Sequence, residues 1–226
     1  MGDKEIVKTL LVEDEQIAME AYETIIKALE IESKYSFAIE KAYNCQEANT
    51  LIEDAMKSQA YDLVLLDIRI PAYKNGNLLS GEAIGVKIKT TMPLSKIIIF
   101  TQYKDPYVLD NLYFHVKPES LLIKNEINSS MLKGAIKDVL DGKLINSQQV
   151  TQMMCKQARF GKRIDKKHRQ LLYELAHGAK MKDLPDVLKV SRSSIERMRN
   201  DLKIIFNVVG ESDRNLIMAA KKKGFL

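Results

Sequence analysis

Five short apolar runs recur between residues 6 and 124, and stretches with helical spacing separate them. Strands that alternate with helices in this way are typical of a parallel sheet. The first, third and fourth runs are continuous Leu, Ile and Val, as expected for strands that are covered on both faces. The sequence therefore predicts an α/β, doubly wound, five-stranded parallel sheet. The predicted strands are Ile6–Val12, Tyr35–Tyr43, Leu63–Asp67, Lys96–Thr101 and Leu121–Lys124.

The stretches between the runs carry apolar residues three and four positions apart, which is the spacing of one helical face. In the first stretch this face is formed by Ile17, Ala21, Ile25 and Ala28. A fifth helix is predicted from about Asn128 to Asp141, because Gly142 can adopt the left-handed conformation that often ends a helix.

Length and charge both indicate two domains. The 226 residues exceed the roughly 150 of a typical domain. Residues 1–142 carry 16 Lys and Arg against 22 Asp and Glu, whereas residues 143–226 carry 19 against 8, so the net charges are −6 and +11. A segment this basic favours nucleic acid as a partner, with a solvated basic surface as the alternative. We expect a first domain at 1–142, a linker or a linking helix at 143–163 and a basic domain at 164–226.

Polar residues stand where four of the predicted strands end, which is where doubly wound sheets gather their chemistry. Glu13, Asp14 and Asp67 would form a pocket of carboxylates whose repulsion a divalent cation relieves, and Mg²⁺ suits such oxygen ligands. Lys124 adds a positive charge and Thr101 a hydroxyl donor, the two groups needed to hold a phosphoryl. Each residue alone would read as a helix cap or an incidental strand end, but together they predict an acyl-phosphate site.

These segments resemble the receiver domain of two-component response regulators, whose fold is flavodoxin-like. The resemblance covers residues 5–142 and is carried by LLVEDE (10–15), DLVLLDIRIP (62–71), IIIFTQ (97–102) and LLIK (121–124). It implies that Asp67 accepts a phosphoryl group from the phosphohistidine of a sensor histidine kinase. It also implies that the chain is not an enzyme beyond Mg²⁺-dependent self-phosphorylation and slow self-dephosphorylation.

The resemblance further implies a role for each residue around Asp67. Glu13, Asp14, Asp67 and the backbone carbonyl of Arg69 would bind Mg²⁺. Thr101 would hydrogen-bond the phosphoryl, and Lys124 would neutralise it. A Mg²⁺-dependent phosphatase on a similar sheet is a weaker alternative, because it needs a second aspartate where Arg69 stands.

The chain departs from the receiver pattern at two places. Leu121 replaces the aromatic residue that the family usually has three positions before the lysine, so the switch must work without that ring. About six extra residues within 72–80 lengthen the loop after Asp67. They would gate the phosphoryl, select the kinase or form a tolerated surface extension.

Apolar spacing predicts a small all-α domain of four helices after residue 164. The second and third of these helices are separated only by Lys189, Val190 and Ser191, which is helix-turn-helix spacing, and Ser191 is placed to cap the third helix. On the third helix the apolar positions form one stripe and leave a basic, amide-bearing side for the major groove. The stripe is formed by Ile195, Met198, Leu202 and Ile205.

Residues 175–202 resemble the LuxR-type helix-turn-helix of the NarL/FixJ response regulators, and the resemblance extends over 164–226. It implies that double-stranded DNA is the partner and assigns two sets of contacts. The groove-facing set is Glu196, Arg197 and Asn200. The set near phosphates is Arg192, Ser193, Ser194 and Lys203.

Together these features predict a DNA-binding transcriptional response regulator, switched by phosphorylation of Asp67 and forming a homodimer when phosphorylated or on DNA. A cytoplasmic protein is expected, because no apolar run approaches the roughly 20 residues that cross a bilayer and the two cysteines lie far apart. The alternative is a phosphorylation-dependent module whose helical domain binds protein and not DNA.

Overall fold

A computed structural model describes residues 4–73, 80–158 and 164–226. The chain divides into two compact units. The first runs to Tyr103 and resumes from Leu112 to Gln148, and the second comprises Lys104–Asn111 and Gln149–Leu226. The loop predicted at 72–80 falls mainly on 74–79, which lie outside the described residues.

The first unit contains a parallel sheet with the strand order β2-β1-β3-β4-β5-β6. This confirms the predicted doubly wound α/β fold, but the predicted number of five strands was wrong for the described residues. The strands are β1 Glu5–Val12, β2 Tyr35–Ala42, β3 Leu63–Asp67, β4 Lys96–Thr101, β5 Ser120–Ile123 and β6 Ile145–Asn146.

The sixth strand comes from the segment that the sequence assigned to a linker. β6 pairs in parallel with β5, so that Ser120 lies opposite Ile145 and Leu121 opposite Asn146. The same segment was predicted to be a linker or a linking helix, and the chain continues from β6 into a helix at Gln148–Ala158. Residues 159–163 of the predicted linker lie outside the described part of the chain.

Five helices flank or follow the first five strands: α1 Gln16–Glu32, α2 Cys45–Lys57, α3 Gly81–Thr91, α4 Pro106–Val116 and α5 Ser129–Leu140. α1 contacts α5, and α2 contacts α3. Asn128 caps α5 by accepting a hydrogen bond from the Met131 amide at 2.9 Å. Gly142 follows α5 with φ of 83°, which confirms the predicted left-handed helix end.

The buried face of α1 differs from the predicted one. Met19, Ile26 and Leu29 are buried, whereas Ile17 is 84% exposed. Tyr22 lies on the buried side and packs against the same core as β1, β3 and β4. The spacing of the other apolar residues suggested a face about one residue out of register, because a tyrosine was not counted among them.

α3 begins in close contact with the end of β3. The Gly81 amide donates to the Ile68 carbonyl at 3.2 Å. A Cβ at Gly81 would lie 2.8 Å from the Ile68 Cα and closer still to the carbonyl oxygen of Asp67. A glycine at this position therefore lets the helix pack directly on the backbone that holds Asp67.

The second unit contains α6, which is the helix at Gln148–Ala158, and four further helices. These are α7 Lys166–Ala176, α8 Leu184–Leu188, α9 Arg192–Phe206 and α10 Asp213–Lys222. The last four share an apolar core that includes Leu171, Ile195, Leu202 and Leu216. This confirms the predicted all-α four-helix region. Among the described residues, no helix has both the length and the apolar character needed to cross a membrane.

We predict that Gly81→Ala lowers the free energy of unfolding by about 1–3 kcal/mol, because the new methyl group overlaps backbone atoms of β3 that cannot rotate away. Urea unfolding followed by circular dichroism measures the change. Gly134→Ala is the matched control, since a Cβ there meets no atom within 4 Å in the middle of α5. That control should be neutral or stabilising, and equal losses in the two variants would contradict the packing argument.

Candidate functional site

The carboxyl ends of β1, β3 and β5 bring two carboxylates and one ammonium together. Lys124 directly follows β5, and its Nζ lies 2.8 Å from Glu13 Oε2 and 2.7 Å from Asp67 Oδ2. The side chains of Glu13, Asp67 and Lys124 are 1%, 5% and 17% exposed. We call these three residues the charge triad. Because the three side chains are largely buried, an ammonium or a carboxylate left here without an oppositely charged partner would destabilise the fold.

The pKa values of the triad follow from this burial. Burial raises the pKa of Glu13, and the nearby charge of Asp67 raises it further against the opposing effect of Lys124. Burial alone would lower the pKa of Lys124, but its hydrogen bonds to Asp67 and Glu13 outweigh that effect and raise it. The ammonium is therefore held in its charged form by the two carboxylates that it separates.

The third predicted acidic residue lies at the same pocket. Carboxylate oxygens of Glu13, Asp14 and Asp67 all lie within 4.8 Å of one another. Asp14 is exposed, whereas the other two are buried, so the cluster has one side that is open to solvent. Hard oxygen donors in this number suit a divalent cation such as Mg²⁺, which keeps several waters in its shell.

Arg69 and Thr101 border the pocket. The Arg69 amide donates to Asp67 Oδ1 at 3.0 Å, which orients the carboxylate from its other side. The Arg69 side chain is turned outward, with its guanidinium 4.7 Å from the centre of the Tyr103 ring. Thr101 ends β4, is fully buried, and its Oγ1 accepts a hydrogen bond from the Tyr103 amide at 3.0 Å.

Tyr22 also belongs to this pocket, although sequence reasoning missed it. Its ring stacks on Phe100 with centroids 4.7 Å apart, and Phe100 immediately precedes Thr101. Burial raises the pKa of Tyr22, as do the charges of Glu13 and Asp67 and a hydrogen bond with Glu13. The available signal was an aromatic residue two helical turns after the acidic pair, at the spacing of the buried face of α1.

A second candidate surface lies on α9. Ser191 caps this helix, as predicted, by accepting a hydrogen bond from the Ser194 amide at 3.2 Å. The turn before it contains Lys189 in the left-handed conformation with φ of 51°. Six predicted contact residues are exposed on α9: Arg192, Ser193, Ser194, Glu196, Arg197 and Asn200. They are carried on a helix whose opposite side is buried at Ile195, Leu202 and Phe206.

Lys203 does not join this surface, so the expectation that its side chain is exposed was wrong, while its predicted role near phosphates stays a prediction. Its side chain is 11% exposed, and its ammonium donates to the Glu211 carbonyl. Asp213 Oδ1 lies 3.4 Å from the same ammonium. The lysine therefore joins the end of α9 to the start of α10, because the Glu211 carbonyl and the Asp213 carboxylate replace water as partners of its ammonium.

We predict that Lys124→Met lowers the free energy of unfolding by about 3 kcal/mol at neutral pH, because it leaves two buried carboxylates facing each other. Adding Asp67→Asn to this variant should restore most of the loss by removing the repulsion. Lys133→Met is the control, because Lys133 pairs with a Glu32 side chain that is 59% exposed and should contribute less than about 1 kcal/mol. Similar losses in Lys124→Met and Lys133→Met under urea would contradict the prediction.

No family model and no curated protein matches this chain. Solved structures do match. An RcsB–DNA complex aligns at 18% identity with a TM-score of 0.60, over 96% of this chain and 98% of the other. RcsB from Salmonella enterica serovar Typhimurium, bound to a promoter with the phosphomimetic BeF3⁻, aligns at 19% identity with a TM-score of 0.57, over 94% and 97%.

A LuxR-family two-component response regulator from an Aurantimonas species aligns at 21% identity with a TM-score of 0.54, over 68% of this chain and 99% of the other. Two of these three matches therefore span both units, and nearly the whole length of the solved chain is covered in each case. At these identities the likenesses show the fold, which is a parallel α/β unit followed by a small all-α unit.

Proposed function

We propose that this chain is a DNA-binding transcriptional regulator of a two-component phosphorelay, switched by phosphorylation of Asp67. The observation that carries the proposal is the charge triad at the carboxyl edge of a receiver-type sheet. It holds one oxygen of Asp67 against Lys124, while the amide of Arg69 orients the other. The phosphoryl donor would be the phosphohistidine of a cognate sensor histidine kinase.

Asp67 would act as a nucleophile. One of its carboxylate oxygens attacks phosphorus, the bond between phosphorus and the histidine nitrogen breaks, and the histidine leaves with that electron pair. An ionised carboxylate needs positioning more than activation, and the hydrogen bonds of Lys124 and Arg69 to Asp67 supply it. Lys124 would neutralise the added charge, and the Thr101 hydroxyl would donate to a phosphoryl oxygen.

The acidic pocket suits Mg²⁺ as the resident cation. Glu13, Asp14, Asp67 and the carbonyl of Arg69 would hold it, since the three carboxylates already converge within 4.8 Å. When bound, the cation would neutralise charge on the transferred phosphoryl. Self-phosphorylation and slow self-dephosphorylation are the only reactions that we assign to the chain.

The exposed side of α9 would bind double-stranded DNA. Arg197 and Asn200 carry the groups that pair with guanine and adenine in the major groove, and Glu196 could accept from cytosine. Arg192, Ser193 and Ser194 lie in the first turn of the helix and are exposed, which suits contacts with phosphates. The net charge of +11 over residues 143–226 supports a polyanionic partner.

We propose that phosphorylation favours a homodimer, so that two helical domains occupy adjacent half-sites. One of the similar structures contains RcsB dimers on DNA, which supports this arrangement by analogy. The cytoplasm is the proposed location, because a promoter-binding regulator must reach DNA and the two cysteines, Cys45 and Cys155, are not paired in a disulfide.

We expect a small-molecule phosphodonor with Mg²⁺ to add one phosphoryl group to the wild type and none to Asp67→Ala, as measured by intact mass. The same treatment should raise the affinity of the wild type for its selected DNA site by about 5- to 150-fold, the usual range for such coupling. Asp62→Ala is the matched control, because it removes an exposed carboxylate just before β3 and not at its end.

Two results would contradict the proposed switch. One is phosphorylation of Asp67→Ala to the same extent as the wild type, which would place the acceptor elsewhere. The other is equal DNA affinity of the treated wild type and treated Asp67→Ala. Selection of binding sites from random duplexes, with and without the phosphodonor, supplies the DNA for these measurements.

We predict that Arg197→Ala weakens binding to the selected site by about 1–3 kcal/mol and relaxes the preference at one base pair, because Arg197 is the exposed guanidinium best placed to read guanine. Arg214→Ala removes the same charge from the exposed surface of α10 and should leave base preference unchanged. Competition binding at several salt concentrations measures both effects. A helical domain that binds protein and not DNA would show neither a steep salt dependence nor a base preference.

A further inference from the structure

The short strand β6 is attached to β5 by side chains as well as by backbone. The Ile145 amide donates to the Glu119 carbonyl and the Ser147 amide to the Leu121 carbonyl, both at 3.1 Å. In the opposite direction, the Leu121 amide donates to Asn146 Oδ1 at 2.8 Å. The Ile123 amide donates to Ser147 Oγ at 3.3 Å. Two polar side chains thus complete a ladder that a two-residue strand could not complete alone.

This attachment is close to the charge triad along the chain. β5 has only four residues, and Lys124 follows its last residue directly. The amide of Ile123, which is bonded to Ser147, therefore belongs to the residue next to Lys124. Only the two backbone dihedrals of Ile123 separate this amide from the peptide unit of Lys124, because the peptide units on either side are planar. A displacement of the Lys124 backbone therefore has a short route to that hydrogen bond.

The other end of β6 leads toward the helical unit. Ser147 is 2% exposed, and α6 begins at the next residue, Gln148. The segment between α5 and α6 is therefore held against the sheet, because Asn146 and Ser147 are hydrogen-bonded to β5 immediately before α6 begins. A change at β5 therefore has a short covalent and hydrogen-bonded path to the start of α6.

Leu121 takes part in this path through its backbone and not through its side chain. Receiver domains that this sequence resembles usually place an aromatic ring at this position, but Leu121 is an aliphatic side chain that is fully buried. Its side chain has no ring to rotate. Its backbone, however, is bonded to β6 on both sides, through its amide to Asn146 and through its carbonyl to Ser147.

We propose that β6 transmits phosphorylation of Asp67 from the receiver to the helical domain. Phosphorylation would displace Lys124, and this displacement would alter the hydrogen bonds of Asn146 and Ser147 to β5 and so the position of the start of α6. The inference rests on the proposed function, because it requires an acyl phosphate at Asp67. Coupling requires these hydrogen bonds to differ between the unphosphorylated and the phosphorylated protein. Weakening them should therefore uncouple phosphorylation from DNA binding without preventing either reaction.

The test compares the wild type with the double variant Asn146→Ala, Ser147→Ala. Both full-length proteins are treated with the phosphodonor and Mg²⁺, acyl phosphate is measured by intact mass, and affinity for the selected DNA is measured before and after treatment. We expect the double variant to accept the phosphoryl as the wild type does. Its affinity ratio should fall to within about twofold of one, whereas the wild type keeps its full ratio.

Asn44→Ala is the matched control. Asn44 Oδ1 also accepts a hydrogen bond from a backbone amide, that of Glu47 at 2.9 Å, but it caps α2 and is remote from β5 in sequence. The control removes one bond of the same kind and keeps β6 intact, so it should retain the wild-type affinity ratio. A loss of the ratio in Asn44→Ala equal to that in the double variant would overturn the proposal.

Amide hydrogen exchange provides a readout that a general loss of stability would not reproduce. In the wild type, phosphorylation should change the exchange rates of the Leu121 and Ile123 amides. The double variant should exchange these two amides faster in both states while the amides of β1 and β3 keep their wild-type rates, whereas a general loss of stability would speed exchange in all of these strands. An unchanged affinity ratio in the double variant overturns the inference but leaves the proposed function intact. Failure of the wild type to form an acyl phosphate overturns the proposed function itself.

Discussion

The Lys124 ammonium, held between two buried carboxylates, is the interaction on which the rest of the first unit depends. Glu13 and Asp67 end adjacent strands, but Lys124 follows β5, and β4 lies between β3 and β5. The lysine therefore has to reach across the end of β4, which its flexible four-carbon stem allows. Thr101, a short residue, ends β4 and is itself buried.

The same interaction determines how the pocket would respond to the phosphoryl group that we propose at Asp67. One ammonium already serves two carboxylates, and Glu13 has a raised pKa because burial opposes its ionised form. A further negative group on Asp67 would compete with Glu13 for Lys124. The hydrogen bonds from Lys124 to Glu13 and Asp67 would then have to change. The orienting contacts of Arg69 and Tyr22 limit how the carboxylates themselves can move, which directs the adjustment toward Lys124 and β5.

The parts that could be predicted from the sequence are those that strand order fixes. Asp67 and Lys124 each end a continuous apolar run, and parallel strands deliver such residues to one edge whatever the intervening helices contain. β6 could not be predicted in this way, because Ile145 and Asn146 form a strand too short to have a period. Its pairing depends on side-chain acceptors that meet β5 only in the folded chain.

Helix surfaces were harder to predict than strand ends, and α9 shows the reason. Arg197 and Lys203 are six positions apart on one helix, and both read as exposed cations because long charged side chains usually remain in water. Arg197 does so, but Lys203 meets the Glu211 carbonyl and Asp213 after the chain turns back into α10. The left-handed Asn207 ends α9 and makes that return possible, so a contact beyond the helix decides the role of a residue on it.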